Sequence, residues 1–405
     1  MGFSIFQGGG TPIAIDFGSA SAKILQARTD DRPRMLAAAE LPIPDSIRGD
    51  HAKEVEYLHE FMPSLMSRAK FKGRRAVISV PGSKTLVQHM TLPKVEGASD
   101  VDLIHGQLAA QFGCVPDAIV TRHVEVCDVH RGGATQREVL VFAIPRDTIM
   151  RYVQLLRRMR LEVVGVHAAP HALVHSFAHL NRRTKDHEIV NCYINIGWSN
   201  TLVAIAHGPD IVFARQVEVG GRHFDEQIAQ TLRCDIGAAR SHRLSMGDMA
   251  IKHAAPAPAA TAMMAVATVK EGADRATGFE ERRGGDGPAE LGPSIDDGGG
   301  LEQLRELNLL EMLDVIGDEL SMSIRYHKGL FPDRRLDRVI FLGGESRQLW
   351  LCRHLTRQLG VPAQLGDPLT RFQAADGLET PGLDLGEPQP GWAVACGLSQ
   401  APTDL

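Results

Sequence analysis

The feature that most constrains the fold is a pattern that this 405-residue chain writes twice. Ile13–Ala27, IAIDFGSASAKILQA, reads as an apolar strand ending in Asp16, a tight turn through Gly18, Ser19, Ala20 and Ser21, and a returning strand that carries Lys23. Tyr193–Ala204, YINIGWSNTLVA, repeats the grammar: Ile194 answers Ile15, Asn195 answers Asp16, Gly197 answers Gly18, and Trp198, Ser199 and Asn200 lead into the next strand. Small turn residues let backbone N–H groups come close to an anion, and a carboxylate at a strand end can hold a magnesium ion through water. A single hairpin of this kind is more often an ordinary turn. Two of them, one in each half of a chain, can close on one phosphate chain.

A third element completes the set. Val339–Leu342 is an apolar strand running into Gly343, Gly344, Glu345 and Ser346, and the spacing predicts a following helix with Leu349, Leu355 and Leu359 on one face. A strand, a glycine pair and a helix N-terminus offer a surface for a nucleotide base and ribose.

The order of these three motifs resembles the actin-like ATPase superfamily and, within its FtsA and PilM branch, the PilM family of type IV pilus assembly, from about Ile13 to Gln400. The resemblance implies an α/β, two-lobed, ribonuclease H-like duplicated fold. Residues 11–81 and 161–190 would form the first lobe, 82–160 an inserted subdomain of the 1C type, and 191–253 with 301–400 the second lobe. The pattern over Gly82–Val164 supports the insertion, because strands and amphipathic helices alternate there in β-α-β-β-α order, ending in a helix at Arg146–Met159. Gly391–Leu398 resembles the closing helix of the fold, which should pack back near the first lobe.

What the resemblance implies about chemistry is ATP with Mg²⁺, the metal held by Asp16 through water. Besides Asp16, Gly18, Ser19, Ser21 and Lys23 of the first hairpin and Asn195, Gly197, Trp198, Ser199 and Asn200 of the second, it assigns Gly220 and Gly221, Arg243 and Gly343–Ser346 to the nucleotide. Arg240 and Arg243 stand where relatives carry an acid and a lysine by the base and ribose, and only the basic partner has a counterpart, in Arg243. Two catalytic positions are degenerate. Asn195 brings no charge to the metal, and Ala169, before Pro170, replaces the group that would aim the attacking water. Binding without appreciable hydrolysis follows.

The same resemblance implies a scaffold at the inner face of the inner membrane, in the cytoplasm. It would dock the tail of a PilN-like inner-membrane protein in a groove among Arg74–Met90 and Leu103–Phe112, contact other pilus or secretion proteins, reach the membrane through its partner, and self-associate. Two other classes stay open: a small-molecule kinase or ATPase, for which no proton-accepting carboxylate stands out, and an FtsA-like filament former, against which the lack of a C-terminal amphipathic helix speaks.

Composition narrows the rest. A net charge of −5 leaves no basic surplus for nucleic acid, and no apolar run approaches the length of a bilayer span. Phe3, Ile5 and Phe6 could touch a membrane or partner, although MGFSIFQGGG lacks a signal-peptide core. Cys114, Cys127, Cys192, Cys234, Cys352 and Cys396 form no CxxC pair and read as reduced thiols. His167, His171, His175 and His179 would share a face if they lay on one helix, but Pro170 argues against a built metal site. Ala254–Gly300, with eight acidic and four basic side chains and few large apolar ones, should be a disordered insert. Beyond it Leu304, Leu307, Leu310, Leu313, Ile316, Leu320 and Ile324 mark one long amphipathic helix.

Overall fold

The computed structural model describes residues 11–28, 33–94, 97, 99–181, 184–252, 304–375 and 377–401. The expected insert at 254–300 and the apolar Phe3, Ile5 and Phe6 lie outside them. The chain begins with β1 (Ile13–Phe17), β2 (Ser21–Arg28), β3 (Arg34–Pro42), α1 (His51–Arg68) and β4 (Arg75–Ser79). Next come β5 (Leu86–Pro93), α2 (Asp100–Phe112), β6 (Ile119–Arg131), β7 (Ala134–Pro145), α3 (Arg146–Arg158), β8 (Glu162–Val166) and α4 (Ala169–His175). The later part holds β9 (Val190–Ile196), β10 (Thr201–His207), β11 (Asp210–Val217), α5 (Gly221–Leu232), α6 (Ile236–Lys252), α7 (Leu310–Leu330), β12 (Arg338–Leu342), α8 (Leu349–Leu359), β13 (Ala363–Leu365), β14 (Gln373–Ala374) and α9 (Ala393–Leu398).

Two sheets carry the same topology. The first runs β14-β3-β2-β1-β4-β8 and the second β11-β10-β9-β12-β13. In each, three strands form an antiparallel meander whose first member then pairs in parallel with a later strand. Strand alternation sorts their side chains. Ile13, Ile15 and Phe17 point outward onto α1 and α3, where Leu58, Met62, Tyr152 and Leu156 cover them. Cys192, Ile194 and Ile196 do the same in the second sheet beneath Phe224, Ile316 and Leu355. The even-numbered set of β1 and the odd-numbered set of β9 therefore face inward, toward each other.

Two short helices fill the space between the inner faces. Ala172 of α4 packs with Ala14, Leu25 and Val77 of the first sheet, whereas its neighbours Leu173 and Val174 pack with Tyr193, Ala204 and Ile340 of the second. α9 is divided in the same way, with Val394 on the first sheet and Ala393 on the second. The two helices touch through backbone. A Cβ at Gly397 would lie 1.7 Å from the carbonyl oxygen of Ala172.

The third sheet, β5-β7-β6 with α2 against it, is the insertion. α3, expected within it, belongs instead to the first lobe: Ile149, Tyr152, Leu155 and Leu156 pack with Ile13 and Ile78, because α3 is the crossover between parallel β4 and β8. The insertion also reaches the second lobe. Glu138 on β7, 1% exposed, accepts a hydrogen bond from Thr91 Oγ1 at 2.9 Å and another from the hydroxyl of Tyr326 on α7, with His89 Nδ1 at 3.3 Å. The ring of His89 stacks on Phe213 of β11.

Other expectations need correction. The helix begun at Leu304 breaks at Asn308, whose φ of 54° is left-handed, and α7 starts afresh at Leu310. α8 turns Leu351, Cys352 and Leu355 inward, with Leu359 packed against the same core; of the expected face only Leu349 lies outside that core. Leu369, Phe372, Leu383 and Trp392 pack with the first sheet although 301–400 was expected to lie with the second lobe, since β14 pairs with β3. The four histidines are not on one helix: His167 precedes α4 and His179 lies in a separate 3₁₀ turn after it. All six cysteines are unpaired thiols.

Gly397→Ala drives a methyl into a carbonyl that cannot move without shifting α4, and should cost about 1–3 kcal/mol in urea unfolding. Gly106→Ala, in α2 with open space around it, should instead stabilise by about 0.5–1 kcal/mol.

Candidate functional site

The inward-facing rows of the two sheets meet in a cleft. Asp16 lies in register with Lys23, and Lys23 with Glu40, so the three charges form a row across β1, β2 and β3. In the second sheet the matching row is Asn195, Leu202 and Gln216 across β9, β10 and β11. Each member of the first row has a neutral counterpart in the second. All six line a cleft of about 460 Å³ between the lobes, within the size range of small-molecule sites.

In the charged row, Lys23 Nζ donates to Ser21 Oγ at 2.8 Å and lies 3.4 Å from Glu40, while Ser21 Oγ donates to Glu40 Oε1 at 2.6 Å. Burial pushes the Asp16 carboxyl up to about 6; Lys23 opposes this and Glu40 adds to it. For Glu40 burial acts upward as well, but Lys23 and the Ser21 hydrogen bond outweigh it and hold the group below its usual range.

The two hairpin turns are built alike. Gly18 N–H donates to Ser21 O at 3.1 Å and Gly197 N–H to Asn200 O at 2.9 Å. A Cβ at either glycine would press on that same acceptor, at 2.9 and 3.0 Å. The turns meet across the cleft, Ser19 Oγ lying 2.7 Å from Ser199 Oγ. Gly220 and Gly221 do not line the cleft but brace the second turn from behind: Gly221 N–H donates to Gly197 O at 3.0 Å, and a Cβ on Gly220 would come within 2.5 Å of the same oxygen.

Gly343 and Gly344 also line the cleft. Gly343 has φ +90° and its absent Cβ leaves room for Ile196 O. Glu345 reaches the cleft, whereas Ser346 Oγ donates to Leu342 O and remains buried. Arg243 is corrected most. It is 1% exposed, away from the cleft, with Nε donating to Asp225 Oδ1 at 2.6 Å and Nη1 to Glu345 Oε2. A guanidinium so deep needs carboxylate partners, and α5 and the Gly344 turn supply them. The residue one turn earlier on α6, Arg240, lines the cleft instead and pairs with Asp45 of the first lobe at 2.5 Å.

Glu40, Gln216, Arg48 and Gln348 are lining residues that motif reading missed. A signal for part of the set existed, because Asp16 to Lys23 and Asn195 to Leu202 share one spacing. Ala169 lies in the wall at the start of α4 and, like Asn195, lines the cleft. Among the described residues no group of three or more His, Cys, Asp or Glu side chains is arranged to hold a metal, the histidine run included.

Two copies of one sheet facing each other across shared helices, with paired turns closing a cleft between them, define an actin-like ATPase fold. Residues 14–250 match the family model of the Type IV pilus assembly protein PilM, and the chain belongs to that family. A PilM–PilN type IV pilus biogenesis complex is similar at a TM-score of 0.68 and 17% identity, over 96% of this chain and 98% of that one. The ethanolamine utilization protein EutJ from Carboxydothermus hydrogenoformans gives a TM-score of 0.45 at 11% identity, over 96% and 88% of the two chains. MreB5 of Spiroplasma citri bound to ADP gives 0.44 at 13%, over 95% and 94%. At 17% identity the first of these shows a likeness of fold.

A carboxyl whose folded value stands above its unfolded one makes ionisation costly to the fold. For Asp16 that cost is full above about pH 6 and vanishes as pH falls toward 3.8. Asp16→Asn should therefore stabilise the ligand-free protein at pH 7.5 by up to about 3 kcal/mol, with the gain shrinking below pH 6. Thermal unfolding measured across pH 4–8 reads this directly. Arg243→Ala leaves two buried acids unpaired and should cost about 3–5 kcal/mol.

Proposed function

We propose that the protein is a nucleotide-binding scaffold of type IV pilus machinery that docks the cytoplasmic tail of a PilN-like inner-membrane protein and hydrolyses ATP negligibly. The observation that carries it is the contrast between the rows Asp16–Lys23–Glu40 and Asn195–Leu202–Gln216 on opposite walls of one cleft. The residues suit a magnesium-bound nucleotide at its phosphate end: Asp16 is the carboxylate for the ion, Lys23 lies beside it, and both turns present backbone in space that no side chain could share. Magnesium would supply charge neutralisation of the phosphates.

The second wall does not suit turnover. Asn195 brings no charge where Asp16 has its counterpart, and at an effective dielectric near 20 a charge lost a few ångströms from the ion weakens its positioning by several kcal/mol, roughly. Ala169 offers nothing to orient a water. Phosphoryl transfer rests mostly on such positioning, so binding outlasts hydrolysis.

The docking groove is assigned to the boundary between the first lobe and the insertion, among Arg74–Met90 and Leu103–Phe112. There α2 leaves Val101 and Phe112 exposed. No helix among the described residues is long and apolar enough to cross a membrane, which suits a partner reached from the cytoplasmic side.

A peptide from the partner's cytoplasmic tail should bind and crosslink to these segments; crosslinks confined to the second lobe would sink the groove. Asp16→Ala should weaken Mg-ATP binding at least tenfold by calorimetry. Asn195→Asp with Ala169→Glu should raise turnover at least tenfold over wild type. Robust wild-type turnover that survives Asp16→Ala would overturn the assignment of the site.

A further inference from the structure

Four cations line the cleft, Lys23, Arg48, Arg240 and Arg347, and they are not equivalent. Arg347 donates to Gln389. Lys23 is matched by Glu40 and stands opposite Asp16. Arg48 of the first lobe and Arg240 of the second share a single carboxylate, Asp45. Two guanidiniums against one acid leave a surplus positive charge at the cleft mouth.

Arg48 is held in place by the backbone just after β3 and lies against both hairpin turns. Its Nε donates to Ile43 O at 2.8 Å, its Nη2 lies 3.4 Å from Ala20 O of the first turn, and its guanidinium carbon stands 5.4 Å from the ring centre of Trp198 in the second. Its side chain is 6% exposed and that of Arg240 23%, whereas the Asp45 side chain is 45% exposed. The carboxylate is thus the partner nearest to water and the most easily exchanged. A planar guanidinium fork fits phosphate oxygens as well as it fits a carboxylate.

We propose that Arg48 and Arg240 are the anion clamp of the cleft, gripping phosphate oxygens of its ligand from opposite lobes in competition with Asp45. The proposal rests on the nucleotide reading above and deepens it. The ligand class is a polyphosphate, recognised across both lobes, with Asp45 as an internal competitor that is displaced toward solvent when the phosphates arrive.

The competition gives opposite signs to changes that break the same ion pair. Arg240→Gln and Arg48→Gln should each weaken Mg-ATP binding at least tenfold in isothermal titration. Asp45→Asn, which breaks the Arg240 pair just as surely, should tighten it about threefold or more, and wild-type affinity should fall steeply with salt. Titration of Mg-pyrophosphate runs beside each, with thermal unfolding as the control for folding. A pair that only latches the lobes predicts that Asp45→Asn and Arg240→Gln move affinity in the same direction; that result overturns the clamp, as does unchanged binding in both arginine variants. Pyrophosphate binding with the opposite signs, but no ATP binding, would keep the clamp and remove the nucleotide reading. Binding of neither ligand by the wild type would remove both.

Discussion

The architecture depends on a backbone contact between two short helices. α4 and α9 can lie between the inner faces of the two sheets only because Gly397 lets α9 approach the carbonyl of Ala172. The surrounding surface is kept small for the same reason, with Ala14, Ala27, Ala204, Ala206, Ala393 and Ala395 among its members. Alternation along β1 and β9 then leaves no choice for the last inward-facing residue of each strand. Asp16 and Asn195 emerge just beyond the helix layer, so the cleft forms where the packing ends.

Duplication makes two walls from one plan, and electrostatics makes them different. On the first wall a lysine between two carboxylates lets the charges be buried together, yet burial still pushes Asp16 up to about 6, with Lys23 opposing and Glu40 adding to the shift. On the second wall the whole row is neutral, not just Asn195. Asn195 faces Leu202 where Asp16 faces Lys23, so an isolated carboxylate there would meet an apolar neighbour.

Much of this was legible in the chain. The two hairpins, the Gly343 turn and the β-α-β-β part of the insertion follow from local periodicity and turn chemistry, which depend on neighbours in sequence. The rows across three strands were half legible, since the shared spacing from Asp16 to Lys23 and from Asn195 to Leu202 was there to be counted. Arg243 was not. Whether an arginine on α6 faces a cleft or a buried pair depends on Asp225 and Glu345, which are 18 and 102 residues away. The break at Asn308 interrupts a continuous helical pattern, and the placement of α3 with the first lobe follows from the long-range pairing of β4 with β8.

The bond network around Glu138 changes how the whole molecule should be pictured. The chain ties the inserted sheet to the first lobe, but the Tyr326–Glu138 hydrogen bond and the stack of His89 on Phe213 tie it by side chains to the second. Two lobes joined only through central helices would form a hinge. With a third member attached to both, they form a braced triangle, in which opening the cleft must stretch or shear one side. A force applied to the insertion would then be shared by all three bodies instead of being taken up at one hinge.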